Sequence, residues 1–120
     1  MRKLKTMDVF AAARIVKAAG IKEEVKRIAL EYTEKKEITE NYQRQVGAEL
    51  VLSIIDGLSE KKAENMMYEF LAGPFEMKCE EIANLELQEL FEKIAELGKL
   101  ESPEGWAVFF KSLGDLIRRN

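Results

Sequence analysis

Histidine is absent from the 120 residues of this chain, cysteine occurs once and proline twice. Each shortage removes a class of explanation. Without histidine the chain lacks the commonest general base and a frequent metal ligand, which disfavours hydrolase, ribonuclease and metalloenzyme chemistry together. We therefore expect a protein that is not an enzyme, with no catalytic residues, no cofactor and no metal site. The lone thiol, Cys79, has no partner for an intrachain disulfide and no second sulfur around which to build a zinc site, so a reducing compartment fits. Long apolar runs are also missing. Spanning a bilayer takes roughly 18 to 20 such residues, whereas Leu50 to Ile55 is typical of what the chain offers. The basic start, Met1 to Lys5, resembles the head of a signal peptide, but Asp8, Arg14 and Lys17 interrupt the apolar stretch that should follow. No export signal is expected.

What is present is apolar enough to fold: 47% of residues are hydrophobic and 34% charged, which excludes a disordered chain and suits one compact domain over residues 1–120. The apolar spacing is helical nearly throughout. Thr6 can cap a first helix carrying Val9, Phe10, Ala13 and Val16, with Asp8 near its positive end and Gly20 closing it. A second begins near Lys22 with Val25, Ile28, Ala29 and Tyr32 on one face, and Thr33 to Thr39 is its polar, frayed end. A third spans about Glu40 to Asp56, with Gly57 as a left-handed closing residue and Gly47 as a weak point or a place of close helix contact. Ser59 can cap a fourth, containing Ala63, Met66, Met67, Phe70 and Leu71, which should stop at Gly73-Pro74. Cys79 to Ala83 is one short turn. A longer helix follows with Leu87, Leu90, Phe91, Ile94 and Leu97, ended by Gly98, and Ser102-Pro103-Glu104 opens a last helix carrying Trp106, Phe109, Phe110, Leu113 and Ile117. The expectation is an all-α single compact domain, counted as five main helices plus one short helical turn, with no repeat and no linker.

Charge is segregated along the chain. Residues 1–36 carry ten Lys and Arg against five Asp and Glu, residues 37–101 carry six against fifteen, and the remainder three against two. A basic amino-terminal arm and an acidic middle can attract each other within one subunit or between subunits, or can be merely solvated faces. A helix-turn-helix at Ala18-Ala19-Gly20-Ile21 would place Glu23 and Glu24 against phosphates, so nucleic acid is not an expected partner. The pairs Glu76/Glu80 and Glu92/Glu96 lie four apart, but no histidine completes a metal set and no calcium or phosphate loop appears. Cys79 beside Lys78 lacks a histidine for a dyad, and a partly buried, unreactive thiol is expected.

Apolar side chains crowd around Gly73-Pro74. Met66, Met67, Tyr68, Phe70, Phe75 and Met77 exceed what one inward stripe needs. Part of this cluster, with some of Trp106, Phe109 and Phe110, is expected to form a contact surface for a helical partner, the rest being internal packing. The candidate partner-binding residues are Met66, Met67, Phe70, Phe75, Met77, Trp106, Phe109 and Phe110.

Three stretches carry a resemblance over nearly the whole chain: Met1-Arg2-Lys3-Leu4-Lys5-Thr6-Met7-Asp8-Val9-Phe10, Tyr68-Glu69-Phe70-Leu71-Ala72-Gly73-Pro74-Phe75-Glu76-Met77, and Trp106-Ala107-Val108-Phe109-Phe110-Lys111-Ser112-Leu113. In their order and spacing the chain resembles the small tail assembly chaperones of long-tailed phages and prophages of Gram-positive bacteria. Cys79 departs from that family, where proline often starts the short helix. The resemblance implies a non-enzymatic protein of the host cytoplasm, left out of the mature virion. It would bind the tape-measure protein in many copies, keep it soluble and help recruit tail-tube subunits, as a homo-oligomer that needs neither nucleic acid nor membrane. The alternatives are a structural head-tail connector or tail-completion protein, and a helical DNA-binding regulator using the basic arm.

Overall fold

A computed structural model of the chain describes residues 1–118, and all its regular structure is helical. The elements are α1 (Thr6–Ala19), α2 (Lys22–Glu34), α3 (Glu40–Gly57), α4 (Glu60–Phe75), α5 (Cys79–Ala83), α6 (Leu87–Leu100) and α7 (Pro103–Arg118). The all-α expectation holds. The main helices number six rather than five, because every helical segment delineated by the sequence forms separately and none merges with its neighbour.

The starts follow local hydrogen bonding. Thr39 and Ser59 accept from the backbone N–H groups of Tyr42 and Lys62 at 3.1 and 3.3 Å, and Ser102 accepts from Gly105 at 3.1 Å. In α1 the cap position is Lys5 rather than Thr6, and the work is done by Asp8, whose carboxylate accepts the Lys5 N–H at 2.7 Å. Glu81 and Glu89 act alike for α5 and α6.

The ends correct three expectations. Of the glycines expected to close helices, Gly20, at φ 72°, does so in the left-handed region. Gly57 is the last residue of α3, followed by an extended Leu58. It serves close approach instead: a Cβ there would lie 2.8 Å from the carbonyl carbon of Ala19, so the ends of α1 and α3 touch where only glycine fits. Gly98 lies inside α6, which runs on to Leu100. The helix expected to break at Gly73-Pro74 continues through Pro74 to Phe75 and turns at Glu76, at φ 56°. The Pro74 carbonyl, one of the acceptors that the last turn leaves without a helical partner, is taken by the amino-terminal arm: Arg2 donates its backbone N–H to it at 2.8 Å. The Arg2 guanidinium also lies across Gly73, where a Cβ would be 2.5 Å from it.

The largest buried cluster joins Ile15 and Val16 of α1, Val25 and Ile28 of α2, Val46 and Ile54 of α3, Ala63 of α4, and Phe110, Leu113 and Ile117 of α7. In it α7 lies along α2 and against α1, and α1 carries α3 and α4. A second, smaller cluster of Leu71, Phe75, Ile82 and Leu97 binds α5 and α6 to α4. Phe70 and Trp106 border both. The radius of gyration, 13.7 Å, is that of a compact chain of this length.

Charge segregation is partly used within the subunit. Leu4 donates its backbone N–H to the buried Glu101 carboxylate at 3.1 Å, and Arg27 pairs with Glu49 at 3.0 Å.

Candidate interaction surface

The eight residues expected at a partner surface divide sharply. Phe75, Phe109 and Phe110 are buried, so as a contact surface they are corrected to internal packing. The reason is the second cluster, which folds α5 and α6 back onto the end of α4 and encloses Phe75. Phe110 stacks on Tyr32 with centroids 4.9 Å apart and meets Phe109 edge-on at 5.4 Å. Met66, Met67, Phe70, Met77 and Trp106 are half-buried against these clusters. Trp106 is pinned, donating its indole N–H to the Gly98 carbonyl at 3.3 Å and packing against Phe109 at 5.9 Å. Cys79 is half-buried at the start of α5.

Freely exposed apolar side chains lie elsewhere, among them a row on α6. Leu90 and Leu97 turn inward to α4, while Leu87, Phe91 and Ile94 form a row at i, i+4 and i+7 that faces out. Leu87 is 68% and Phe91 60% exposed, values that rule out core positions. Sequence reasoning missed this row because the whole apolar arc of α6 covers roughly 120° at 100° per residue, no more than a docked helix needs. Only the absence of a second helix beside α6 leaves half of that arc uncovered.

A second apolar feature is a groove of about 270 Å³ between α3 and α4. Val51, Ile54, Ile55, Ala63 and Met67 line it, with Glu60 and Glu64 at its edge. Met67 is the one expected contact residue that lines it.

Between α2 and α3 lies a polar recess of about 460 Å³ in which Arg27, Glu31 and Glu49 are mated. Arg27 bonds Glu31 at 2.8 Å and Glu49 at 3.0 Å, Tyr42 donates its hydroxyl to Glu31 at 2.7 Å, and the Lys35 ammonium lies 4.2 Å from the centre of the Tyr42 ring. The Tyr42 bond, aided by Arg27, holds Glu31 below the usual carboxylate range. Burial, then the Glu31 contact, pushes the Tyr42 hydroxyl up. These shifts are those of a cross-link between two helices.

Among the described residues, no group of three or more His, Cys, Asp or Glu side chains is placed to hold a metal ion, and no helix is long and apolar enough to cross a membrane. No protein-family model, curated protein or solved structure matches this chain.

Proposed function

We propose that this chain is a tail assembly chaperone: a non-catalytic protein that binds amphipathic helices of a phage tape-measure protein, keeps that client soluble, and gives it up to tail-tube subunits. The observation that carries the reading is the Leu87–Phe91–Ile94 row, an apolar face of a stable helix with nothing on it. A row at that spacing matches the apolar stripe of a second helix laid alongside, the usual mode of helix-to-helix recognition. Three side chains give a contact well below the area of a permanent interface, so each copy binds weakly and many copies along a long helical client bind in sum. Weak, repeated contacts are what arriving tube subunits can displace. The resemblance of the three sequence stretches to tail assembly chaperones supplies the client's identity. Action in the host cytoplasm and absence from the finished particle belong to the same proposal.

Co-expression tests it. A tape-measure protein of a long-tailed phage of Gram-positive bacteria should gain soluble yield with this chain and co-purify with it. Phe91→Asp should abolish both effects while leaving the far-UV circular dichroism unchanged, since the side chain is exposed. Equal client yield with and without the chain would refute the proposal.

A further inference from the structure

Two exposed faces of this molecule complement each other, and neither is satisfied within one copy. The first is the α3–α4 groove. At about 270 Å³ it falls below the range of small-molecule pockets and has room for one or two side chains of a docked helix. Its edge is acidic: Glu60 makes no ion pair among the described residues, and Glu64 bonds only the hydroxyl of Tyr68. Of the neighbouring lysines, Lys62 falls on the far side of α4 and Lys61 roughly 60° around it from Glu64, and neither lines the groove.

The second is the outward face of α1. Ala12, Ile15, Val16 and Ala19 turn inward, while Met7, Phe10, Arg14 and Lys17 follow one another along the opposite side. Met7 is 62% and Phe10 50% exposed. Arg14 and Lys17 are exposed and make no ion pair among the described residues. This face has an apolar centre with cations on the following turns. No residue of α1 lines the groove, so the molecule does not bring the two together itself.

We infer that the acid-edged α3–α4 groove receives the basic, apolar α1 face of a second copy of this chain. Phe10 enters beside Ile55 and Met67, and Arg14 and Lys17 meet Glu60 and Glu64. The two patches differ, so a single contact is head-to-tail, and repeated from copy to copy it makes a ring or an open filament. A filament of copies would present a repeated row of α6 faces, which deepens the proposed function without depending on it.

Capping the assembly at one end or the other tests this without any client. Sedimentation of the wild-type chain should show a weight-average mass that rises with concentration, and that falls back as salt is raised and the charges are screened. Phe10→Asp blocks one face and Ile55→Asp the other, each at an exposed position and each expected to weaken association about tenfold or more. Alone, each variant should be monomeric. Mixed, they should form a one-to-one dimer of twice the monomer mass that grows no further, because one intact groove meets one intact α1 face. Should either variant lose helicity, Arg14→Glu with Lys17→Glu and Glu60→Lys with Glu64→Lys take their places. Each charge-reversed protein is then monomeric, and the mixture assembles again. A wild-type chain monomeric at every concentration, single variants that assemble like wild type, or a mixture that stays monomeric would each overturn the inference, and would leave the tape-measure reading to its own test.

Discussion

Asp8→Ala probes the joint that ties the amino-terminal arm to the fold. The Asp8 carboxylate is 3% exposed and accepts three hydrogen bonds, from Arg2 Nη1 at 2.7 Å, Arg2 Nη2 at 3.2 Å and the Lys5 N–H at 2.7 Å. Losing the Lys5 contact removes a helix cap worth about 1 kcal/mol. The ion pair lies between two limits, about 0 to 1 kcal/mol for an exposed pair and about 3 to 5 for breaking a buried one. Because the Arg2 side chain keeps some solvent access, we assign it about 1 to 3 kcal/mol. The total, about 2 to 4 kcal/mol, is a large share of the roughly 6 to 18 kcal/mol expected for a domain of this length. Urea unfolding followed by far-UV circular dichroism measures it. Arg2→Ala strands the same buried charge, so the double variant should cost less than the two singles summed. An Asp8→Ala chain within about 0.5 kcal/mol of wild type, or strict additivity, would refute the account of this joint.

Two glycines should respond oppositely to alanine. Gly57→Ala drives a methyl group into the Ala19 carbonyl and should destabilise by about 1 to 3 kcal/mol, whereas Gly47→Ala, exposed within α3 with nothing near it, should stabilise by up to about 1 kcal/mol, both read from urea midpoints. Phe75→Ala empties the centre of the second cluster and should cost about 3 to 5 kcal/mol, with α5 and α6 losing hydrogen-exchange protection before the rest. Burial pushes the Tyr32 hydroxyl from 10.0 up to about 12. The folded state therefore favours the neutral phenol, so this contribution to stability is complete below pH 10 and is lost as the pH rises through about 12. Spectrophotometric titration should show Tyr32 ionising late, as Tyr42 also should, with the Tyr32 step identified by its loss in Tyr32→Phe, and stability falling across that interval. Ionisation of Tyr32 at the ordinary value in folded protein would contradict its packing against Phe110.

Helix placement was legible because its causes are local. Ser59 and Ser102 cap as expected, Gly20 turns left-handed as expected, and the periodicity of α2 places Val25, Ile28, Ala29 and Tyr32 inward. Two misreadings are local, the cap of α1 and the end of α6 at Gly98, and the others concern distant contacts. Gly57 is glycine because of Ala19, thirty-eight positions away, and the open carbonyl of Pro74 at the end of α4 is taken by Arg2 from the other end of the chain. The crowding around Gly73-Pro74 signals a second core, and that core consumes Phe75 and half-buries Met77. Phe91 has the same chemistry and periodicity as Phe109, yet one faces solvent and the other does not.

The sequence by itself determined the class of fold, the helix starts and the lack of histidine chemistry, since propensity, capping and composition act within a few residues. Tertiary structure alone decided which apolar faces are left over. Exposure depends on how many neighbours each helix receives: α7 is enclosed by α1 and α2, while α6 rests on α4 and keeps a bare side. No periodicity within a helix records whether a second helix will arrive to cover it.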